Sequence, residues 1–433
     1  MAVPVHFGTD GIRGRFETEI TVDLAYRLGW AVAQVFSAPV FVGYDTRESS
    51  PALAAAVLAG LGDQGALGVN LGVFTTPGVA VIVRQRGGVG VVVSASHNPY
   101  YDNGLKVLGV GGGKLDQSTE RAVTEALNSA PSAPSASFTE LPWDPAGEGD
   151  YVAHLLSHVT RDLSTLHLVI DCANGAASHV AYDLFARTGA RLTMINDQPD
   201  GRNINERSGS THVEGLRAAV NELGADLGLA FDGDADRLIA VDDAGEVRDG
   251  DDLMVLFTLD LAARGRLLGG VVVTSMSNLG LQRALAGEDI AVVETDVGDR
   301  NVMMALEDAS WRFGGEQSGH LIFRDLSPTG DGLLTGLLLC DLVMRNGPLS
   351  EQATTAWQRV PQRLISVARD LYDDVVVRQM YDELCAFHKV DAADVRLIIR
   401  PSGTEPVVRV MVEGVDGDFV EEFTRRVQRF FRA

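Results

Sequence analysis

The sequence predicts an α/β protein: three similar α/β units with mainly parallel sheets, then a smaller α+β unit. Three observations carry this. Short β-branched runs alternate with Ala- and Leu-rich helical stretches through most of the chain, the signature of βαβ units. The order "buried strand, polar Gly-bearing loop" recurs three times, its loops closing at Ser94–Pro99, Asp232–Arg237 and Gly314–His320. After Pro361 the rhythm changes to strand, helix, strand, strand, helix. The expected units are 1–149, 150–249, 250–363 and 364–433. At 433 residues, several domains are the expectation in any case.

In the first unit, Val40-Phe-Val-Gly reads as a strand ending at Tyr44-Asp-Thr-Arg47. Ser50-Pro51 then opens a helix, with Pro at a favoured first-turn position. A strand near 67–73 and a helix from Thr75-Thr-Pro77 to about Arg86 follow. Val91-Val-Val is apolar on successive positions, as a strand covered on both faces must be. The run from Asn128 to Ser137, small residues with two prolines, reads as a surface loop, and a helix is expected over about 150–163. Strands near 166–170, 191–195 and 226–231 form the second unit. The third has a helix from about Gly250 to Arg264 and strands near 270–274 and 290–294. The last has a helix near 376–388, strands at 395–400 and 406–413, and a terminal helix.

Charge narrows the partners. With 36 basic against 59 acidic residues the net charge is −23, which argues against nucleic acid and anionic membranes. An anionic substrate would need local Arg or Lys clusters or a cation. Cys172, Cys340 and Cys385 are sparse and unpatterned, as reduced thiols in a cytoplasmic protein would be. The N-terminus lacks the basic and apolar regions of a signal peptide. The greasiest segment, Leu333–Val343, is too short to span a bilayer.

Chemistry concentrates in four loops. In open α/β sheets, ligands bind where strand carboxyl ends release their loops. The first loop delivers Ser96 beside His97, before the turn-forming Asn98-Pro99. A hydroxyl there suits a nucleophile. Lys106, ten residues on, could neutralise a phosphoryl group or move a proton. The second loop, Asp232-Gly-Asp234-Ala-Asp236-Arg237, crowds three carboxylates at the end of a buried strand. Their repulsion asks for a cation, and oxygen-only ligands suit Mg²⁺ or Ca²⁺. A calcium EF-hand would need Gly where Arg237 stands and Glu where Asp243 stands, so Mg²⁺ fits better. The third loop, Gly-Gly-Glu316-Gln-Ser318-Gly-His320, offers groups that pair with sugar hydroxyls, though a polar turn would read alike. The fourth, Arg400-Pro-Ser402-Gly403-Thr404-Glu-Pro-Val-Val-Arg409, gathers guanidinium, hydroxyl and amide donors into an anion cradle. Near the N-terminus, Arg13 stands between glycines and can reach a phosphate. Gly111-Gly-Gly-Lys114 is no P-loop, because Leu115 stands where Ser or Thr is required. His154 and His158 lack the Glu of a zinc protease helix.

These residues allow a metal-dependent phosphotransferase, a non-catalytic sugar-phosphate-binding protein, or a phosphatase with Asp232 as nucleophile. The four motifs Ser-Ala-Ser96-His-Asn-Pro, Asp232-Gly-Asp-Ala-Asp-Arg, Gly-Glu316-Gln-Ser-Gly-His and Arg400-Pro-Ser-Gly-Thr-Glu-Pro, in this order, resemble those of the α-D-phosphohexomutase family across essentially the whole chain. Gln317, Ser94, Phe7-Gly-Thr-Asp-Gly-Ile-Arg13-Gly, Asn203-Ile-Asn205, Gly209-Ser-Thr-His212 and Met276-Ser-Asn-Leu-Gly280 look like its glucosamine branch. Ser208 departs from that branch, which has cysteine there.

The resemblance implies four domains around a central cleft and an isomerase interconverting glucosamine 6- and 1-phosphate through a 1,6-bisphosphate. Such an enzyme feeds UDP-N-acetylglucosamine and peptidoglycan synthesis. A phosphomannomutase/phosphoglucomutase of the same family is the alternative. It further implies that Ser96 is a phosphoserine and donor. One Mg²⁺ per chain would be held by Asp232, Asp234, Asp236 and a phosphoserine oxygen, and glucosamine or glucose 1,6-bisphosphate would prime the enzyme. Glu316 and Ser318 would hold sugar hydroxyls. Arg400, Ser402, Gly403, Thr404 and Arg409 would hold the phosphate that is not reacting. Arg13, His97, Lys106, Arg237 and His320 would surround the reacting phosphoryl group. A monomer or homodimer is expected, with the last domain moving as a lid over the turning intermediate.

Overall fold

The computed structural model describes residues 11–134, 143–159, 161–401 and 406–431. Its strands fall into four sheets. The first joins β1 (Ile12–Arg15), β2 (Val40–Tyr44), β3 (Gly68–Val73), β4 (Val89–Val93) and β5 (Asp102–Leu108) in the order β1-β5-β4-β2-β3. The second joins β6 (His167–Asp171), β7 (Arg191–Ile195), β8 (Leu227–Phe231), β9 (Leu238–Asp242) and β10 (Val247–Arg248) in the order β10-β9-β8-β6-β7. The third joins β11 (Gly270–Thr274), β12 (Ala291–Thr295), β13 (Phe313–Gly315) and β14 (Leu321–Phe323) in the order β12-β11-β13-β14.

The three sheets share one plan. A central strand (β2, β6 or β11) pairs in parallel with the next strand on one side and with a third (β4, β8 or β13) on the other. The third then pairs antiparallel with its successor (β5, β9 or β14). In each sheet, one strand alone runs against the rest. The expected recurrence is therefore real at the level of topology, and so is the mainly parallel character. Each chemically rich loop is the connection from the third strand to the reversed one: β4–β5, β8–β9 and β13–β14.

The pattern follows from side-chain chemistry. β2, β4, β6, β8 and β11 are buried at every position, as strands covered on both faces must be. The Leu333–Val343 segment lies in the helix Gly332–Asn346, N-capped by Asp331, and packs on β8 and β9 of the second sheet. That burial accounts for its greasiness, and no helix among the described residues is long and apolar enough to cross a membrane. The fourth sheet, β15 (Gln362–Ala368), β16 (Val395–Pro401) and β17 (Val407–Gly414), is antiparallel in the order β15-β17-β16. The helices Asp374–His388 and Gly417–Phe430 cover it.

Two local expectations differ. The helix expected over 150–163 is Ala146–Leu156, and Ser157 ends it by turning its hydroxyl onto the His154 carbonyl at 2.6 Å. The helix Gln117–Ser129 runs into the expected Asn128–Ser137 loop, whose last residues lie outside the described ones.

Candidate active site

Ser96 sits in the β4–β5 loop, fully buried, with left-handed backbone (φ 51°). Its N–H donates to Ser94 Oγ at 2.9 Å, and its hydroxyl donates to Asp232 Oδ2 at 2.5 Å, crossing from the first domain to the second. His97 Nδ1 lies 3.5 Å from the same hydroxyl. Asn205 Nδ2 donates to the carbonyls of Ser96 and Asn98 at 2.9 and 3.1 Å. The two loops can touch because residue 233 is glycine: a Cβ there would lie 2.5 Å from the Ser96 carbonyl oxygen.

The three carboxylates of the β8–β9 loop converge. Asp232, Asp234 and Asp236 are buried, and each offers an oxygen within 4.8 Å of the others. Lys106, on β5, donates to Asp234 Oδ2 at 2.7 Å and lies 3.9 Å from Asp236. Thr76 Oγ1 donates to the same Asp234 oxygen at 2.5 Å. Arg237 Nε is 3.7 Å from Asp236 Oδ1. Burial, then Asp236 and Asp234, push the Asp232 carboxyl well above the usual carboxylate range. Asp234 Oδ1 and Asp236 Oδ1 are buried with no hydrogen-bond partner among the described residues. A buried, oxygen-only, over-charged donor set with orphaned carboxylate oxygens fits a small hard cation such as Mg²⁺. Strands flank this loop, as no EF-hand allows.

The β13–β14 turn closes through Glu316 N–H to the His320 carbonyl at 3.1 Å and Gly319 N–H to the Glu316 carbonyl at 3.0 Å. It is tied to the second domain by the Leu238 N–H, which donates to the Gly319 carbonyl, and held within the third by the Gly250 N–H, which donates to the Gln317 carbonyl. Glu316 Oε1 accepts from Gly298 N–H at 3.0 Å. Glu316 and Ser318 line a cleft of about 450 Å³ together with Arg237, Asp249 and Thr274. Buried His320 places Nδ1 3.7 Å from Asp236 Oδ1 and Nε2 3.7 Å from Asp299 Oδ2.

The two imidazoles sit in opposite fields. Burial, Arg237 and Arg13 lower the His97 pKa to about 4, so it is neutral at pH 7. Burial would lower His320 too, but Asp236, Asp299 and Glu316 outweigh it and raise its pKa to about 9. Gly330 N–H nevertheless donates to His320 Nε2 at 3.2 Å, which requires that nitrogen to be unprotonated. The two conflict, and a cation among the carboxylates would resolve them by cancelling the pull of Asp236, leaving His320 neutral with its proton on Nδ1.

Arg13 lies on β1 opposite Gly104. Arg400 on β16 and Arg409 on β17 are direct cross-strand partners. Like charges placed so are unfavourable unless an anion joins them. Arg400 Nε is buried without a partner among the described residues, and Arg409 Nη1 donates to Ser366 Oγ at 2.5 Å. Ser402, Gly403 and Thr404 lie outside the described residues.

The structure thus brings Ser96, His97, Lys106, the Asp triad, Arg237 and His320 into one buried cluster, with Glu316 and Ser318 at its edge. Arg400 and Arg409 belong to the fourth sheet. Sequence reasoning missed Thr76, Asn205 and Asp299 as members. Thr76 reads as a helix opening, and nothing local marks the partner it finds across domains.

Comparison with known proteins follows the same division. Residues 4–133, 149–245 and 249–360 match the phosphoglucomutase/phosphomannomutase alpha/beta/alpha domains I, II and III, and residues 374–429 match the C-terminal domain. The chain is 44% identical to a phosphoglucosamine mutase of Desulforamulus reducens, covering 95% of each. It is 41% identical to the phosphoglucosamine mutase of Bacillus subtilis, covering 99% of this chain and 98% of that one. A putative phosphomannomutase from Thermus thermophilus shares its fold over 100% of both chains, with TM-score 0.82 at 23% identity. An Aspergillus fumigatus N-acetylphosphoglucosamine mutase, solved with GlcNAc-6P and magnesium, shares it over 99% of this chain and 95% of that one, with TM-score 0.65 at 18% identity.

Proposed function

The chain belongs to the phosphoglucomutase/phosphomannomutase family, and from that premise we propose that it acts as a phosphoglucosamine mutase, interconverting glucosamine 6-phosphate and glucosamine 1-phosphate. The observation that carries the chemistry is the 2.5 Å contact of Ser96 Oγ with Asp232 inside a carboxylate triad.

Ser96 serves as the phosphate carrier. The sugar's O1 attacks the phosphorus on Ser96, the P–Oγ bond breaks, and the O1 proton passes to the site, giving the 1,6-bisphosphate. After the intermediate turns over, Ser96 Oγ attacks the 6-phosphate, the P–O6 bond breaks, and O6 regains a proton. Phosphoryl transfer of this kind depends on in-line placement and charge neutralisation more than on acid–base strength. Asp232, Asp234 and Asp236 would hold Mg²⁺, which supplies Lewis-acid neutralisation of the phosphoryl oxygens. Lys106, held against Asp234, adds a fixed positive charge beside the transferring group. Arg13 and Arg237 lie close enough to lower His97, so the site carries guanidinium charge around a neutral imidazole. His97 can therefore accept a proton at the serine oxygen, and buried His320 orders the third loop against the triad.

We assign Glu316 and Ser318 to adjacent sugar hydroxyls, and the Arg400/Arg409 pair, with Ser402, Gly403 and Thr404, to the distal phosphate. Two ends of one sugar can then be presented in turn to Ser96. A turning intermediate needs room, and the fourth domain supplies it by moving as a lid. The buried thiols of Cys172 and Cys340 suit a reducing cytoplasm, and a hexose 1,6-bisphosphate would prime the enzyme.

A coupled assay with Mg²⁺ and a bisphosphate primer tests the reading. Glucosamine 6-phosphate should have a higher kcat/KM than glucose 1-phosphate or mannose 6-phosphate. Were it the poorest of the three, the assignment to glucosamine would fall. Ser96→Ala should abolish turnover and leave sugar-phosphate binding in place.

A further inference from the structure

Arg47 is a fully buried charge that the chemistry above leaves unused. It follows β2, just ahead of the helix Ser50–Asp63, and in the sequence it reads as a plain strand exit. All its N–H groups are engaged. Nε donates to Asp45 Oδ2 at 2.9 Å. Nη1 donates to the Asp102 carbonyl at 3.0 Å and to that of Pro99. Nη2 donates to the carbonyls of Ser96 at 3.0 Å and Asn98 at 2.8 Å. Four backbone carbonyls of the Ser96 loop thus converge on one guanidinium.

Asp45 carries the constraint around to the other side of Ser96. Its Oδ2 accepts from Ser94 Oγ at 2.6 Å, and Ser94 Oγ accepts from the Ser96 N–H at 2.9 Å. The ion pair therefore grips Ser96 at both its amide and its carbonyl. It does so in a left-handed backbone that a serine keeps only when its surroundings impose it. Arg47 contacts the loop's backbone and not the Ser96 hydroxyl, so its effect reaches the nucleophile through the main chain.

We propose that Arg47 is a positioning residue for phosphoryl transfer, fixing the backbone of the Ser96 loop so that Oγ stays aimed across the carboxylate triad. The inference rests on Ser96 being the phosphate carrier. A planar five-donor fork can hold four carbonyls and a carboxylate at once. The three donors of a lysine ammonium cannot, although the charge opposite Asp45 would survive.

The test compares R47K and S94A with L58A, a core truncation in the same domain chosen to match their thermal stability. Each enzyme is incubated with Mg²⁺ and glucose 1,6-bisphosphate, and intact mass follows phosphate arriving on Ser96. In that step a sugar P–O bond breaks, the P–Oγ bond forms, and the serine proton passes to the departing sugar oxygen. R47K should be phosphorylated about 10²-fold more slowly, the cost of misplacing reacting atoms by roughly 1 Å. Its kcat should fall in parallel, while KM for glucosamine 6-phosphate stays within about threefold. S94A should lose about tenfold in both rates, and L58A should keep its kcat. A wild-type rate in R47K, or losses in R47K and L58A that track melting temperature alone, would overturn the proposal. If R47K does not fold, an unchanged rate in S94A overturns it equally. Failure of the wild-type chain to take phosphate on Ser96 strikes instead at the carrier reading beneath it.

Discussion

Filling the carboxylate triad with Mg²⁺ should raise the melting temperature by a small amount whose size reports how many domains the site ties together. A ligand at 100 times its Kd stabilises the folded state by about 2.7 kcal/mol. Unfolding entropy near the transition is about 2.1 cal/mol/K per residue. If the 433-residue chain melts as one unit, the slope is about 0.9 kcal/mol/K and the shift about 3 °C. If only the 149–245 segment melts, the slope is about 0.2 kcal/mol/K and the shift about 13 °C. The contacts decide between these. The triad is bonded to Ser96, Thr76 and Lys106 of the first sheet's domain, and His320 of the third lies beside it. The expected shift is therefore near the lower figure.

The assay is differential scanning calorimetry of EDTA-stripped enzyme, titrated with MgCl₂ at constant ionic strength and pH 7.5. Asp232→Asn supplies the internal check. It keeps an acceptor for the Ser96 hydroxyl and removes a carboxylate whose pKa burial and two like charges push upward. Metal-free, the variant should melt no lower than wild type, and Mg²⁺ should no longer raise it. No shift in wild type at Mg²⁺ concentrations that saturate activity would refute the reasoning. So would an undiminished shift in the variant.

Lys106→Met should cut kcat by about 10²–10³-fold by removing a fixed positive charge beside the transferring phosphoryl group; steady-state assay of a folded sample within tenfold of wild type would sink that role. Replacing both Arg400 and Arg409 by Ala should raise KM at least about tenfold with a much smaller change in kcat, since uniform binding is what is lost. The fourth domain meets the third through Arg283–Asp394 and Arg396–Glu294. Bridging cysteines placed at 283 and 394 with a short bis-maleimide, in a Cys385→Ser background, should leave Ser96 phosphorylation and stop full turnover. Full turnover in the bridged enzyme would count against a lid. Asp331 caps the helix Gly332–Asn346, and burial raises its carboxyl to about 7, against the hydrogen bonds from Leu334 and Tyr151. Its folded pKa exceeds the unfolded value near 4, so its contribution is full below about pH 4 and declines until pH passes about 7. Urea titrations should show wild type losing stability across that window, and Asp331→Asn, which keeps the cap, losing less.

What the sequence made legible was local. The Val run of β4 and the apolar run of β8 announce their strands because burial on both faces leaves no room for polar side chains. The crowding of Asp232, Asp234 and Asp236 is covalent in origin, so it shows in one dimension. β5 was not legible. Asp102-Asn-Gly-Leu-Lys-Val-Leu reads as polar, yet Asn103 and Lys106 are buried because Ser49, Ser50 and Asp234 pair with them from elsewhere. Arg47 and Thr76 escaped for the same reason: the carbonyls that Arg47 gathers and the carboxylate that Thr76 reaches lie more than forty residues away. A buried polar residue becomes interpretable only when its long-range partner is known.

The three rich loops leave their sheets at one equivalent place, where a strand running with its neighbours hands over to the one running against them. On the proposed reading, the tasks of donating phosphate, fixing the cation and gripping the sugar fall to three separately built turns. Sugar preference can then be retuned within the β13–β14 turn, or by what surrounds its cleft, without disturbing the Ser96 backbone or the triad. On that reading the phosphoryl chemistry is a fixed cassette, and the hexose it serves would be set by an exchangeable part.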